Sequence, residues 1–165
     1  MSTESTNFEQ GQLTIHAENL LPIIKKWLYS EKEIFLRELV SNAFDAITKA
    51  RHVALVEGLG DLGPMGIDIE CDKAAGTVSI RDTGIGMTAE EIRTYLTQVA
   101  FSGAQEFMQK YEIKGDGQAI IGHFGLGFYS AFMVARKVEV HSRGIREEDG
   151  AGTRWSSEGG MSFQM

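Results

Sequence analysis

The stretch IDIECDKAAGTVSIRDTGIGM, residues 67–87, decides how the rest of the chain is read. Ile67, Ile69 and Cys71 alternate with Asp68, Glu70 and Asp72, the period-two pattern of a half-buried strand. Val78 and Ile80 share one face of a second run. Two strands, 67–72 and 77–82, are therefore predicted, joined by a turn from Lys73 to Gly76. Asp82 continues the face of Val78 and Ile80, so its carboxylate is expected to point between sheet and helices. A lone buried carboxylate is costly unless donors meet it. Gly84 and Gly86 allow a sharp turn and a close backbone approach to a flat ligand. A plain turn after a strand is the competing reading.

Outward from this hairpin, Thr88 with Glu91 forms a capping box opening a helix of about 89–98. Residues 99–121 carry mixed signals and receive no assignment. The run Gly122-His-Phe-Gly-Leu-Gly127 leads into a predicted helix of about 127–135. Strands at 137–142 and 153–157 flank a charged turn, 143–152, and a further strand begins after Gly160. Upstream, a short strand at 11–16 precedes an amphipathic helix at 17–29 carrying Leu20, Leu21, Ile24 and Leu28. Ser30 with Glu33 forms a second capping box, opening a long helix from about 31 to 56, and 57–66 is a loop. No repeat or heptad pattern occurs. Hairpin strand pairs mixed with helices predict an α+β fold, a two-layer sandwich of mostly antiparallel sheet with helices on one face.

The long helix carries a polar stripe. At 100° per residue, with Glu38 set to zero, Asn42 falls at about +40°, Asp45 at about −20° and Lys49 at about +20°. Leu36, Leu39, Val40, Ala43, Ile47 and Ala50 fill the other arc. A solvated face is the commonest meaning of such a stripe. The sharper meaning is a site lining: one carboxylate to handle water, an amide to hold a cation, a second carboxylate for hydrogen bonding. Arg37 lies about 100° off the stripe and is assigned to an ion pair. The adenine amine would suit Asp82 as a donor. The helix start after Gly127 suits phosphate, because free N–H groups and the positive dipole end meet there. Its spacing is neither that of a P-loop nor that of a dinucleotide fingerprint.

Composition narrows the classes. The 165 residues fit one domain with a single core. A net charge of −7 argues against sequence-independent nucleic-acid binding. The single cysteine, Cys71, excludes an intrachain disulfide. Met1 to Gln10 is polar and acidic, unlike a secretory signal, and no run approaches the roughly 18 apolar residues of a membrane helix. A cytoplasmic location is expected. His16, His52 and His141 form no ligand cluster, and Trp27 and Trp155 are assigned to packing.

Three runs carry a family resemblance: Glu33-Ile-Phe-Leu-Arg-Glu-Leu-Val-Ser-Asn-Ala43, Asp82-Thr-Gly-Ile-Gly-Met-Thr88 and Ile121-Gly-His-Phe-Gly-Leu-Gly-Phe-Tyr-Ser-Ala-Phe132. In this order they resemble the GHKL (Bergerat-type) ATPases, and within them the heat-shock protein 90 chaperones nearly letter for letter. Val99-Ala-Phe-Ser-Gly-Ala104 is similar to the bacterial, HtpG-like branch. The resemblance covers about residues 11–164. It implies that residues 1–165 are a single N-terminal ATP-binding domain, truncated at its C-terminus, with a lid at about 95–127.

The resemblance also implies roles. Glu38 is the general base that orients the attacking water. Asn42 holds the magnesium ion that bridges the phosphates. Asp82 reads the adenine amine, while Gly86 and Met87 complete the base pocket and Asp45 supports its waters. Gly122, Gly125 and Gly127 supply phosphate amides, and Phe128 packs near the nucleotide. ATP or ADP with Mg2+ is the implied ligand, and unfolded or partly folded client proteins are the implied partners of a full-length homodimeric parent. This chain is expected to be a monomer with slow or absent hydrolysis. Two positions depart from the family: Phe101 and Ala104 stand where many relatives have lysine and threonine. A nucleotide-binding fragment without turnover, and a histidine-kinase or DNA-repair module on the same fold, are the alternatives.

Overall fold

The computed structural model describes residues 33–97, 103–111, 127–147, 152–160 and 162–165. The predicted strand at 11–16, the helix at 17–29, Ser30, and the glycines Gly122 and Gly125 lie outside the described residues, as does much of the segment 95–127.

Helix α1 spans Ile34–Glu57. Ala43, Ile47, Ala50 and Val53 recur every three to four residues and are buried, so the apolar arc predicted for this helix is its packed face. Leu36, at the solvent end of that arc, is 37% exposed. Gly58 ends the helix in the left-handed conformation, φ 68°, and the N–H groups of Gly58 and Leu59 both reach the Ala54 carbonyl. This Schellman-type stop is what a glycine permits and an L side chain resists.

The hairpin forms as its alternation predicts. β1 (Ile67–Asp72) pairs antiparallel with β2 (Thr77–Asp82), placing Ile67 opposite Asp82, Ile69 opposite Ile80 and Cys71 opposite Val78. The Asp72 carboxylate accepts the Ala74 and Ala75 N–H groups at 2.8 and 3.0 Å, which closes the turn. At the open end, the Thr83 N–H donates to the Gly66 carbonyl at 3.2 Å, and the Gly66 N–H donates to the Thr83 hydroxyl at 2.9 Å. α1 packs across this hairpin, mainly on β2.

Helix α2 (Ala89–Thr97) begins with the predicted capping box. The Thr88 N–H donates to Glu91 Oε2 at 2.8 Å, and the Glu91 N–H donates to Thr88 Oγ1 at 3.2 Å. Helix α3 (Gly103–Lys110) arises within the stretch that received no assignment. The helix predicted at 127–135 is instead a 3₁₀ segment, Gly127–Met133. Ser130 supplies a local reason: its hydroxyl donates to the Gly127 carbonyl, occupying the acceptor that an α-helical turn would use.

The remaining strands are β3 (Val138–Ser142), β4 (Thr153–Ser157) and β5 (Phe163–Gln164), antiparallel in the order β3-β4-β5. Val140 faces Trp155, and Ser142 faces Thr153. Ile92, Leu96 and Trp155 form a buried cluster, joined by Met87, Phe128, Phe132, Val138 and Val140. Trp155 is therefore a packing residue, as assigned. The α+β character and antiparallel pairing agree with expectation, but the sheet is divided in two among the described residues, β1-β2 and β3-β4-β5.

Candidate functional site

The polar stripe of α1 is not a plain solvated face. Asp45 is 5% exposed, with Ala43 and Ile47 buried on either side of it. Burial lowers the Lys49 pKa, and the charges of Asp45 and Glu91 resist that shift. Asn42 is exposed and Glu38 is partly buried. The Arg37 guanidinium approaches Glu38 after all, at 4.0 Å, and both side chains remain open to solvent, so the pair is weak.

Two glycine contacts turn the stripe into a site. A Cβ on Gly127 would lie 2.6 Å from Glu38 Oε2, so the start of the 3₁₀ segment rests directly on the carboxylate. A Cβ on Gly84 would lie 2.5 Å from the Ala46 backbone, so the loop after β2 rests on α1 two turns farther along. The Ile85 N–H donates to the Ala46 carbonyl at 2.9 Å, which fixes that contact. From Glu38 to Ala46 the helix rises about 12 Å. Asn42 sits between the two contacts, with Asp45 beside the second.

Asp82 stands at the end of β2 and accepts the Gly84 N–H at 2.8 Å. Surrounding protein desolvates its carboxyl and raises its pKa, while the Gly84 N–H pulls the other way. The residue as a whole keeps access to solvent, which leaves it open to a ligand. Gly86 adopts φ +63°, and a Cβ there would come within 1.9 Å of the Arg143 carbonyl oxygen. Both conformation and space therefore require glycine.

The loop is tied down by residues the sequence reading did not single out. The Ser142 hydroxyl accepts the Met87 N–H at 2.8 Å, and the Ile145 N–H donates to the Ile85 carbonyl at 2.8 Å. Gly144 is buried against Thr88, and its N–H donates to Glu147 at 2.8 Å. These residues fall in or beside the segment read as a charged turn. No local pattern marks them, because their partners lie some 55 residues away.

Phe128 follows Gly127 but turns its ring into the aromatic cluster, 5.6 Å from Trp155 and 6.2 Å from Phe132. The next residue, Tyr129, donates its hydroxyl to the Leu96 carbonyl at 3.1 Å and so anchors the 3₁₀ segment to α2. A shallow cavity of about 290 Å³ lined by Arg51, Asp61 and Met65 shares no residue with this site. Among the described residues, no cluster of three or more His, Cys, Asp or Glu side chains is arranged to hold a metal. A lone accessible amide, Asn42, fits an ion such as magnesium, which prefers few protein ligands and is shared with waters and phosphate oxygens. No described helix is long and apolar enough to cross a membrane.

Comparison with known proteins agrees with this geometry. The family model described as histidine kinase-, DNA gyrase B- and HSP90-like ATPase matches residues 29–157. The chain is 53% identical over 158 residues to the chaperone protein HtpG of Bacteroides thetaiotaomicron, covering 95% of this chain and 22% of that protein. It is 46% identical to HtpG of Porphyromonas gingivalis, covering 95% and 23%. It is 44% identical to the mitochondrial heat shock protein 75 kDa of Bos taurus, covering 94% and 23%. The chain thus spans less than a quarter of the length of these curated relatives. On the matched residues, the glycine contacts and the shared fold, the chain belongs to the histidine kinase-, DNA gyrase B- and HSP90-like ATPase family, and within it resembles the heat-shock protein 90 chaperones.

Proposed function

We propose that this chain binds ATP with magnesium as the nucleotide domain of a heat-shock protein 90-type chaperone, and that the complete protein hydrolyses it. The observation that carries this reading is the paired seating of Gly84 on Ala46 and Gly127 on Glu38. It sets a base-reading loop and a phosphate-facing turn at the two ends of one helix face. Asp82 accepts a hydrogen bond from the adenine amine, with Gly86 and Met87 closing the base pocket and Asp45 supporting its waters. Gly127 offers its amide to phosphate, joined by Gly122 and Gly125, and Phe128 backs the turn.

Asn42 holds the magnesium ion, which when bound neutralises phosphate charge. Glu38 orients a water molecule and accepts its proton as the oxygen attacks the γ-phosphorus, releasing ADP and inorganic phosphate. Such chemistry needs positioning more than covalent help. In the complete protein, the nucleotide cycle serves unfolded or partly folded clients through a cytoplasmic homodimer. The 165-residue chain itself is a monomer with slow turnover.

A second reading, nucleotide binding without turnover, is favoured by one observation: the chain spans less than a quarter of its relatives. Calorimetric titration with ADP and magnesium tests the common part. Wild type binds, and Asp82→Asn loses about 10- to 100-fold in affinity through loss of a charge-assisted acceptor. No binding by a folded wild type would sink both readings. Magnesium-dependent phosphate release that disappears in Glu38→Ala, with ADP binding retained, separates the first reading from the second.

A further inference from the structure

We propose that Glu57, Tyr111 and Arg146 form a clasp that docks α3 on the body, and that the state of the clasp is coupled to the Asp82–Met87 loop. Among the described residues, the backbone of α3 packs extensively against no other element. Side chains at its C-terminal end hold it instead. The Phe107 and Tyr111 rings meet the His52 ring of α1 edge-on, at 6.1 and 5.4 Å. The Lys49 ammonium lies 5.4 Å from the centre of the Phe107 ring. Lys49 shares its helix stripe with Glu38, Asn42 and Asp45, so α3 covers one end of the site-bearing face.

The clasp closes at the last residue of α1. Tyr111 donates its hydroxyl to Glu57 Oε1 at 2.6 Å. Arg146 grips the same carboxylate with two prongs, Nε to Oε2 at 2.8 Å and Nη2 to Oε1 at 2.6 Å, and also donates to the Tyr111 oxygen. A bidentate guanidinium–carboxylate pair has a defined geometry. Arg146 first, then Tyr111, hold the Glu57 carboxyl down at about 2, far below its ordinary value. The Arg146 and Glu57 side chains are 44% and 31% exposed, so water competes for the pair. A clasp so placed is releasable, unlike a buried ion pair.

The coupling runs through the turn after β3. Arg146 adjoins Ile145, whose N–H binds the Ile85 carbonyl, and Ser142 holds Met87 four residues earlier. Any ligand that orders the Asp82–Met87 loop therefore favours docked α3, and docking strengthens binding by the same factor. This second half rests on the nucleotide reading above; the clasp does not.

Amide exchange of the 165-residue chain without nucleotide tests the clasp. Tyr111→Phe and Arg146→Gln should each speed exchange at 103–111 by about three- to tenfold, leaving α1 and the β1-β2 hairpin unchanged. The swap of Glu57→Arg with Arg146→Glu should restore slow exchange relative to either single change. Unchanged exchange at 103–111, or equal acceleration throughout the chain, overturns the clasp. ADP with magnesium should slow exchange at 103–111 in wild type and not in Arg146→Gln. Calorimetric binding without that slowing overturns the coupling. Absence of calorimetric binding overturns the nucleotide reading and the coupling with it, while the clasp is still judged by exchange alone.

Discussion

The Asp82–Met87 loop and the start of the 3₁₀ segment meet the same face of α1 but are held differently. The loop takes hydrogen bonds from three separate places: Ala46 on α1, Ser142 on β3 and Ile145 beyond it. Gly127 instead rests on a single carboxylate, Glu38, with Tyr129 anchoring the segment to α2 through one hydroxyl. A cross-braced loop holds its shape before a ligand arrives, which suits recognition of a flat base. An end supported by one flexible side chain can adjust, which suits a reaction in which charge and water must be repositioned.

The sharpest way to break the comparison is Gly86→Ala. The new methyl would meet the Arg143 carbonyl and demand a strained backbone, so the loop must move. A stability loss of about 3 kcal/mol or more in chemical denaturation is expected, with ADP binding abolished. Gly127→Ala should behave otherwise. Its methyl meets the far end of Glu38, which can swing away. Phosphate release in the complete protein should fall on the order of tenfold or more, with a smaller change in ADP affinity and little change in stability. If the two variants lost stability equally, the contrast between the ends would fail.

Ser142→Ala sharpens the comparison on a smaller scale. It removes one partly buried acceptor, so a loss of about 1 kcal/mol is expected, read as weaker ADP binding in calorimetry. Loss of phosphate release without loss of affinity would assign Ser142 to the wrong end.

The smallest effect is that of pH, and two carboxylates give it opposite signs. Glu57 is depressed to about 2 in the fold from an ordinary 4.5. Its contribution is present above pH 4.5 and is lost as pH falls toward 2, with Arg146, Tyr111 and Lys110 as the facing groups. Asp82 is raised by burial, so acid relieves its desolvation while removing its charge as an acceptor. Exchange at 103–111 should therefore quicken in acid. Titration of ADP binding should fall over the range in which Asp82 takes up its proton.

Much of the site was legible because its parts obey local rules. The alternation at 67–72 and 77–82 set the hairpin and aimed Asp82, and the glycines that follow marked a close approach. Helical phase gathered Glu38, Asn42 and Asp45 on one stripe, and Thr88 with Glu91 announced α2. The same local rules failed at 127–135, where the Ser130 hydroxyl took the Gly127 carbonyl and tightened the turn. They were silent on Ser142, Ile145 and Arg146, whose importance lies in partners 55, 60 and 89 residues away.

The sequence by itself determined the antiparallel hairpin, the long helix with its polar stripe, the capped α2 and the acid–glycine loop. Each of these follows from side chains within a few residues of one another, where periodicity and backbone conformation suffice. Tertiary structure alone decided that Asp45 is buried, that Gly84 and Gly127 close on one face of α1, and that the turn after β3 braces the Asp82 loop while Arg146 reaches Glu57. Those outcomes depend on which distant surfaces meet, and excluded volume between them, such as the missing Cβ at Gly84, becomes visible only once the chain has folded.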